Sequence, residues 1–254
     1  VGGKCERRIR QALQTPPVAA RVALASEPLP ALSLPTPKAV LFDFDGTFAD
    51  TAPDMAFAAN LLRNARGLDS LPLSDYRPHV SRGGRGMIGV AFNKTPDDGE
   101  FAALRDEFHD VYEANLCQGT TFFDGIEETI AELERRTIAW GIVTNKATRF
   151  TDPLMSRLGL DVRAHCVVSG DTTPHTKPHP APLLHAAQLL SLPASECWYV
   201  GDDERDIVAA HAAGMIGVAA AYGYLGGSNP ESWGAQISIT RPAELVAFLP
   251  PALI

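Results

Sequence analysis

Cysteine is scarce in this chain of 254 residues: Cys5, Cys117, Cys166 and Cys197 are the whole supply, and no two of them form a C-x-x-C pair. That spacing argues against a zinc site or a redox motif, and a reducing cytoplasm is the expected home. Long apolar runs are missing as well, because Gly, Pro or a charged residue interrupts every stretch before the ~18 residues of a membrane span. Positive charge is in deficit: 22 Lys and Arg against 30 Asp and Glu give a net charge of -8. Such a balance argues against nucleic acid or an anionic membrane as the main partner, and an anionic ligand would need a local positive field. Apolar residues are not lacking: a 45% hydrophobic share is ample for a core, and the length fits one large domain or one domain with an insertion.

Residues 1–37 carry Pro16, Pro17, Pro28, Pro30, Pro35 and Pro37 without sustained periodicity, and are expected to form a poorly ordered leader. The pattern changes at Val40-Leu41-Phe42-Asp43-Phe44-Asp45-Gly46-Thr47. An apolar run ending in two carboxylates one residue apart, then Gly-Thr, predicts a buried strand that delivers acidic groups into a turn at its C-terminal edge. Alternation along the strand puts Asp43 and Asp45 on one face, close enough to share a divalent cation, and oxygen-only ligands suit Mg²⁺.

Beyond that strand the chain reads as helical up to about residue 120. Thr51-Ala52-Pro53-Asp54 opens a helix, and further helical patterns cover residues 73–80, 86–93 and 98–116. Residues 51–120 are therefore predicted to be a helical insert over the carboxylates, where a lid would sit. Within it, Gly84, Gly86 and Gly89 satisfy G-x-G-x-x-G, but Tyr76-Arg77-Pro78-His79-Val80 before them is no strand, so a dinucleotide fingerprint is rejected. A glycine-rich helix start carrying Arg82 and Arg85 remains a candidate anion cradle, beside its reading as a glycine-permitted loop with solvated arginines.

The second half alternates strands with helices. Asp124 is expected to cap a helix with Glu127 three residues on; strands are predicted at 138–143, 166–169, 198–200, 216–222 and 237–239, with helices at 148–158, up to Leu190, before Gly214 and over 242–249. This order predicts an α/β fold, a doubly wound parallel sheet with a Rossmann-like core built from residues 38–50 and 121–254. Parallel strands bring Asp43 and Asp45, Thr144 and Asn145, Lys177, and Asp202 and Asp206 to one edge. Taken singly, Thr144-Asn145 reads as well as a strand-ending turn, Lys177 as a solvated lysine and Asp206 as a first-turn carboxylate; their joint order favours a site. His175 and His179 flank Lys177 but lack a third ligand, so they are read as loop histidines.

Asp43-Phe44-Asp45-Gly46-Thr47, Thr144-Asn145, Lys177-Pro178 and Gly201-Asp202-Asp203-Glu204-Arg205-Asp206, in that order, resemble the four signature motifs of the haloacid dehalogenase-like hydrolases with a helical-bundle cap. Thr51-Ala52-Pro53-Asp54, Thr144-Asn145-Lys146 and Lys177-Pro178-His179-Pro180 further resemble the phosphoglycolate phosphatases. Arg82 to Met87, Tyr222-Gly223-Tyr224 and Trp233-Gly234-Ala235 resemble a branch that includes N-acetylmuramic acid 6-phosphate phosphatase. Phe48 stands where leucine is usual, a change expected to affect packing only. The resemblance implies a phosphate-monoester hydrolase acting on a small phosphorylated metabolite. Asp43 would be its nucleophile and Asp45 its general acid and base, with Thr144, Asn145 and Lys177 on the phosphoryl oxygens. Mg²⁺ would be held by Asp43, the Asp45 carbonyl and Asp202 with support from Asp206, and Arg82 and Arg85 would read the leaving group. A phosphomutase, or a phosphate-binding protein without activity, is the alternative on the same scaffold.

Overall fold

In the computed structural model, residues 34–249 are described. The leader assigned to residues 1–37 lies outside them up to residue 33. Its last residues attach to the core: Pro37 is buried and the Trp198 indole donates to the Pro35 carbonyl at 3.2 Å, and directly after them Lys38 N donates to Glu196 O at 2.8 Å.

Strand β1 (Ala39–Phe42) is buried along its whole length, as a continuous apolar run in a parallel sheet should be. It lies at the centre of the sheet. Strands β4 (Ala139–Val143) and β5 (Cys166–Val168) extend to one side, and β6 (Cys197–Gly201), β7 (Ile216–Ala220) and β8 (Ile237–Ile239) to the other, in the order β5-β4-β1-β6-β7-β8. Every pairing in this sheet is parallel. The chain moves outward from β1 to β4 and β5, then returns to β6 on the far side of β1. The direction of winding reverses beside β1, and ligands of open α/β sheets bind at the carboxyl ends of strands at such a reversal.

One face of the sheet is covered by α7 (Ala181–Leu189) and α8 (Glu204–Ala213). Leu183, Ala186, Ala209 and Ala210 pack there against Leu41, Val143, Val168 and Tyr199. On the other face Phe48 is 1% exposed and stacks on Trp140 with ring centroids 5.7 Å apart, meeting Phe42 and Phe122 edge-on, so it does act through packing. Helix α5 (Ile126–Arg135) buries Ile126, Ile130 and Leu133, its 3.6-period apolar stripe. Its N-cap is Gly125 with no side-chain cap, so Asp124 does not cap it as the sequence suggested. Helix α6 is Thr148–Arg157, and the last predicted helix is a 3₁₀ segment, Pro242–Phe248.

Between β1 and β4 the chain builds an insert of α1 (Ala52–Ala65), α2 (Leu73–Tyr76), a 3₁₀ segment (Arg77–Arg82), α3 (Gly83–Phe92) and α4 (Phe101–Ala114). Its entrance and exit are joined as a two-stranded antiparallel ribbon, β2 (Ala49–Asp50) with β3 (Thr121–Phe122). Asp54, buried at the start of α1, accepts hydrogen bonds from Gln118 N (3.2 Å), Gly119 N (2.6 Å) and Thr120 Oγ1 (2.6 Å). Asp54→Ala would orphan these donors at the exit of the insert and cut its tie to the entrance. Thermal or urea unfolding is expected to register a loss on the order of 3 kcal/mol. A loss no larger than that of an exposed aspartate would refute the clamp.

Candidate active site

Each strand that meets at the winding reversal ends in a polar residue. Asp43 follows β1, its N–H donating to Val200 O at 2.8 Å, and Thr144 follows β4, its N–H donating to Val168 O at 2.9 Å. Asp202 follows β6. The turn after Asp45 runs through Gly46 at φ +90°, where an added Cβ would come within 2.2 Å of Asp202 Oδ2. Only glycine tolerates both the backbone and the approach.

Lys177 is buried, and its ammonium is the hub of the cluster. It lies 2.9 Å from Asp43 Oδ1 and 2.8 Å from Asp206 Oδ1, and donates to Tyr199 Oη (2.7 Å) and Val143 O (3.2 Å). Burial alone would lower its pKa; Asp206 and Asp43 outweigh burial and raise it. A lysine held this way stays charged across the neutral range. Asp206 is oriented by a reciprocal capping box with Asp203 at the start of α8, where Asp203 N donates to Asp206 Oδ2 at 3.1 Å. One carboxylate therefore both caps the helix and holds the lysine.

Among the described residues, Asp43, Asp202 and Asp206 bring carboxylate oxygens within 4.8 Å of one another. One ammonium does not balance three such groups. Burial, opposed by Lys177 and reinforced by Asp206, pushes Asp43 up to about 6, and burial with Asp43 and Asp206 pushes Asp202 well above the usual carboxylate range. The cluster is short of positive charge, and its all-oxygen donors fit a hard divalent cation.

The two oxygens of each leading carboxylate differ. Asp43 Oδ1 accepts from Phe44 N (2.7 Å) and Lys177, whereas no bond to Oδ2 is made among the described residues. Asp45 Oδ1 accepts from Thr51 Oγ1 (2.5 Å) and pairs with Lys146 Nζ (3.0 Å), again leaving Oδ2 open. Both residues line a cavity of roughly 320 Å³ that Thr144, Asn145 and Lys177 also reach. Met55, Val80, Phe108 and Tyr112 from the insert form an apolar part of its wall. Asp202 is not among the lining residues and lies behind Asp43.

The sequence-derived residues are not all used as expected. Asn145 turns its amide to the Lys177 backbone, accepting from Lys177 N (2.9 Å) and donating to Lys177 O (3.0 Å). Its side chain thus positions the lysine loop. Thr144 Oγ1 accepts from Lys146 N at 3.1 Å, which leaves its O–H free to donate. Arg82 lines the cavity, but Arg85 faces a separate groove with His79 and Lys94, whose wall Arg82 shares. Sequence reasoning passed over Lys146 as a site residue, although it directly follows Thr144-Asn145. It is buried beside Asp45 and lies 5.0 Å from the centre of the Tyr112 ring. It also passed over Arg205, which lines the cavity and bridges the Asp203 carboxylate to Ser81 O at 2.8 Å, tying α8 to the insert. Neither contact has a signal in local spacing.

The chain belongs to the haloacid dehalogenase-like hydrolases, whose family model matches residues 40–220. A protein named phosphoglycolate phosphatase from Xanthomonas campestris pv. campestris is 46% identical over 82% of this chain and 95% of that protein. One named N-acetylmuramic acid 6-phosphate phosphatase from Pseudomonas aeruginosa is 41% identical over 85% of this chain and 96% of that protein. A crystal structure of a predicted phosphoglycolate phosphatase from Haemophilus somnus 129pt superposes with a TM-score of 0.73 at 26% identity, covering 83% of this chain and 97% of that one. No helix among the described residues is long and apolar enough to cross a membrane.

Proposed function

We propose that the protein is a Mg²⁺-dependent phosphatase that hydrolyses a small carboxylated or sugar phosphate, of the 2-phosphoglycolate or N-acetylmuramic acid 6-phosphate kind, through an aspartyl-phosphate. The observation that carries this reading is the pair of open oxygens, Asp43 Oδ2 and Asp45 Oδ2, at one strand end beside a buried, charged lysine. Asp43 Oδ2 bonds to phosphorus as the ester P–O bond breaks, and the departing alkoxide takes a proton from Asp45. Asp45 then takes a proton from water, whose oxygen bonds to phosphorus as the acyl-phosphate P–O bond breaks and Asp43 is restored. Lys177 and the Thr144 hydroxyl face the phosphoryl oxygens where negative charge accumulates, and Asn145 keeps the lysine in place. Asp43, the Asp45 carbonyl and Asp202 would hold Mg²⁺, with Asp206 supporting through Lys177; the cation supplies the positive charge that lets two anions meet.

Release of inorganic phosphate is the test, measured on 2-phosphoglycolate, N-acetylmuramic acid 6-phosphate and simple sugar phosphates without a bisphosphate activator. Turnover that stops in EDTA and returns with Mg²⁺ is the expected result. No release from any ester, or turnover only with a bisphosphate, would favour the non-catalytic or the mutase alternative.

Metal binding has a thermodynamic signature of its own. An acid whose folded pKa is raised costs the fold nothing while protonated, and the metal-free protein loses stability as pH rises through the value of about 6 for Asp43. Mg²⁺ should therefore raise Tm more at about pH 8 than at about pH 5. A Tm that Mg²⁺ leaves unmoved at both would remove the cation from the account.

The leaving group is read by the insert. Arg82→Ala should cost roughly 1.5–3 kcal/mol in kcat/KM for a carboxylated substrate, the worth of a hydrogen bond to a charged group, and little for an aryl phosphate. Arg85→Ala should change neither, since it lines the separate groove and not the cavity. Equal losses at both arginines would restore the symmetric role that the sequence suggests.

A further inference from the structure

Tyr222-Gly223-Tyr224 follows β7, and the mechanism above leaves it without a task. It is packed tightly on the site: a Cβ on Gly223 would lie 2.2 Å from Asp202 Cβ and 2.4 Å from Gly46 O. Tyr222 Oη donates to Thr47 O at 2.9 Å, on the turn after Asp45. Tyr224 makes the longer connection. Its N–H donates to Asp202 Oδ2 at 2.9 Å, behind Asp43. Its hydroxyl, at the other end of the side chain, accepts from Thr51 N (2.8 Å) and Ala52 N (2.9 Å) and donates to Asp50 Oδ1 (2.9 Å). Asp50 to Ala52 is where the chain leaves the core for the insert.

The same three residues are gripped from two other directions. Arg77, from the insert, forks onto both Asp50 oxygens at 3.0 and 2.8 Å, with its guanidinium 5.7 Å from the centre of the Tyr224 ring. Thr51 Oγ1 donates to Asp45 Oδ1, the carboxylate assigned as general acid. One buried hydroxyl therefore fixes the exit of the chain from the core, and the residue it fixes there holds the acid.

We infer that Tyr224 is a positioning residue: its hydroxyl locks the Asp50–Ala52 exit so that Thr51 presents Asp45 to the leaving group while the insert stays anchored through Arg77. The inference rests on the phosphatase reading for the role of Asp45, but not for the lock itself. Freeing the exit loosens Thr51, and a general acid that is slightly misplaced loses much of its advantage. In the first step, read by kcat/KM, the loss must show only where leaving-group protonation matters; the base step is shared by every ester and enters kcat alone. An alkoxide leaving group needs the proton, whereas p-nitrophenolate, a weak base, departs without it.

Tyr224→Phe keeps the ring and the main-chain bond to Asp202 and removes only the hydroxyl. Its kcat/KM on an alkyl phosphate substrate, which reports the phosphorylation step alone, should fall roughly tenfold, while that on p-nitrophenyl phosphate stays within about twofold. Amide hydrogen exchange at Thr51 and Ala52 should quicken by roughly tenfold in the same variant. Thr51→Val, with Tyr224 intact, should give the same split between the two esters, and the double variant should be no worse than the poorer single one, as members of one chain of contacts are non-additive. Parallel losses on both esters would reduce Tyr224 to a structural residue, and unchanged rates with unchanged exchange would show that its hydroxyl positions nothing. A wild-type protein releasing phosphate from neither ester would fail the phosphatase reading alone, and the exchange measurement would still decide the lock.

Discussion

Asp43→Asn is expected to abolish turnover, lowering kcat by roughly four orders of magnitude or more, the scale seen when a covalent nucleophile is removed. The amide keeps an oxygen where Oδ1 accepts from Phe44 N and Lys177, so the loop geometry has no reason to change. What it loses is the open anionic oxygen. Burial already pushes the Asp43 carboxyl up to about 6, so replacing its charge by a neutral amide relieves a cost. The metal-free variant should match or exceed the wild type in Tm at neutral pH. Inactivity with an intact Tm assigns the loss to chemistry, whereas inactivity with a collapsed Tm would leave Asp43 a structural residue.

Lys177→Met carries the other large effect, and here activity and stability should fall together. Among the described residues the ammonium is the one positive group on Asp43 and Asp206, at 2.8–2.9 Å, and breaking a buried pair from one side costs about 3–5 kcal/mol because the partner charges stay behind. Loss of a positive group aimed at the transferring phosphoryl should lower kcat by about 10²–10³. The sign of the pH dependence follows from the carboxylates. Burial already pushes the Asp43 carboxyl up to about 6, so as pH falls through that value it takes up a proton and the variant recovers part of its stability; as pH rises it ionises without its counter-charge, and the deficit widens. A variant with the wild-type Tm at about pH 8 would contradict the hub, because uncompensated carboxylates cost most where they are ionised.

The sequence carried β1 and its carboxylates plainly, since a four-residue apolar run followed by Asp43, Asp45 and Gly46 leaves little else for the chain to do. Thr144, Lys177, Asp202 and Asp206 were legible for the same reason: each follows a strand or opens a helix with ordinary turn chemistry. The ribbon of β2 and β3 was not, because two-residue strands have no periodicity to read. Asp124 looked like a cap because local spacing matched a capping box, whereas the helix begins one residue later than that cap requires, at Ile126 with Gly125 as its N-cap. Arg82 and Arg85 looked equivalent because their directions depend on where the 3₁₀ segment gives way to α3, at Gly83 with φ +56°. The contacts of Lys146, Arg205 and Tyr224 depend on the fold as a whole. Tyr224 meets Asp50 and Thr51 across more than 170 positions of chain, and no local pattern encodes such a meeting.

Trapping the intermediate tests the central claim most directly. Protein mixed with ³²P-labelled substrate and Mg²⁺, quenched in acid during turnover, should carry label that hydroxylamine releases, as it does from acyl phosphates. Proteolysis should place that label on the peptide containing Asp43, and Asp43→Asn should carry none. Steady release of phosphate with no labelled protein at any time of quenching, or label on a peptide without Asp43, would contradict the account.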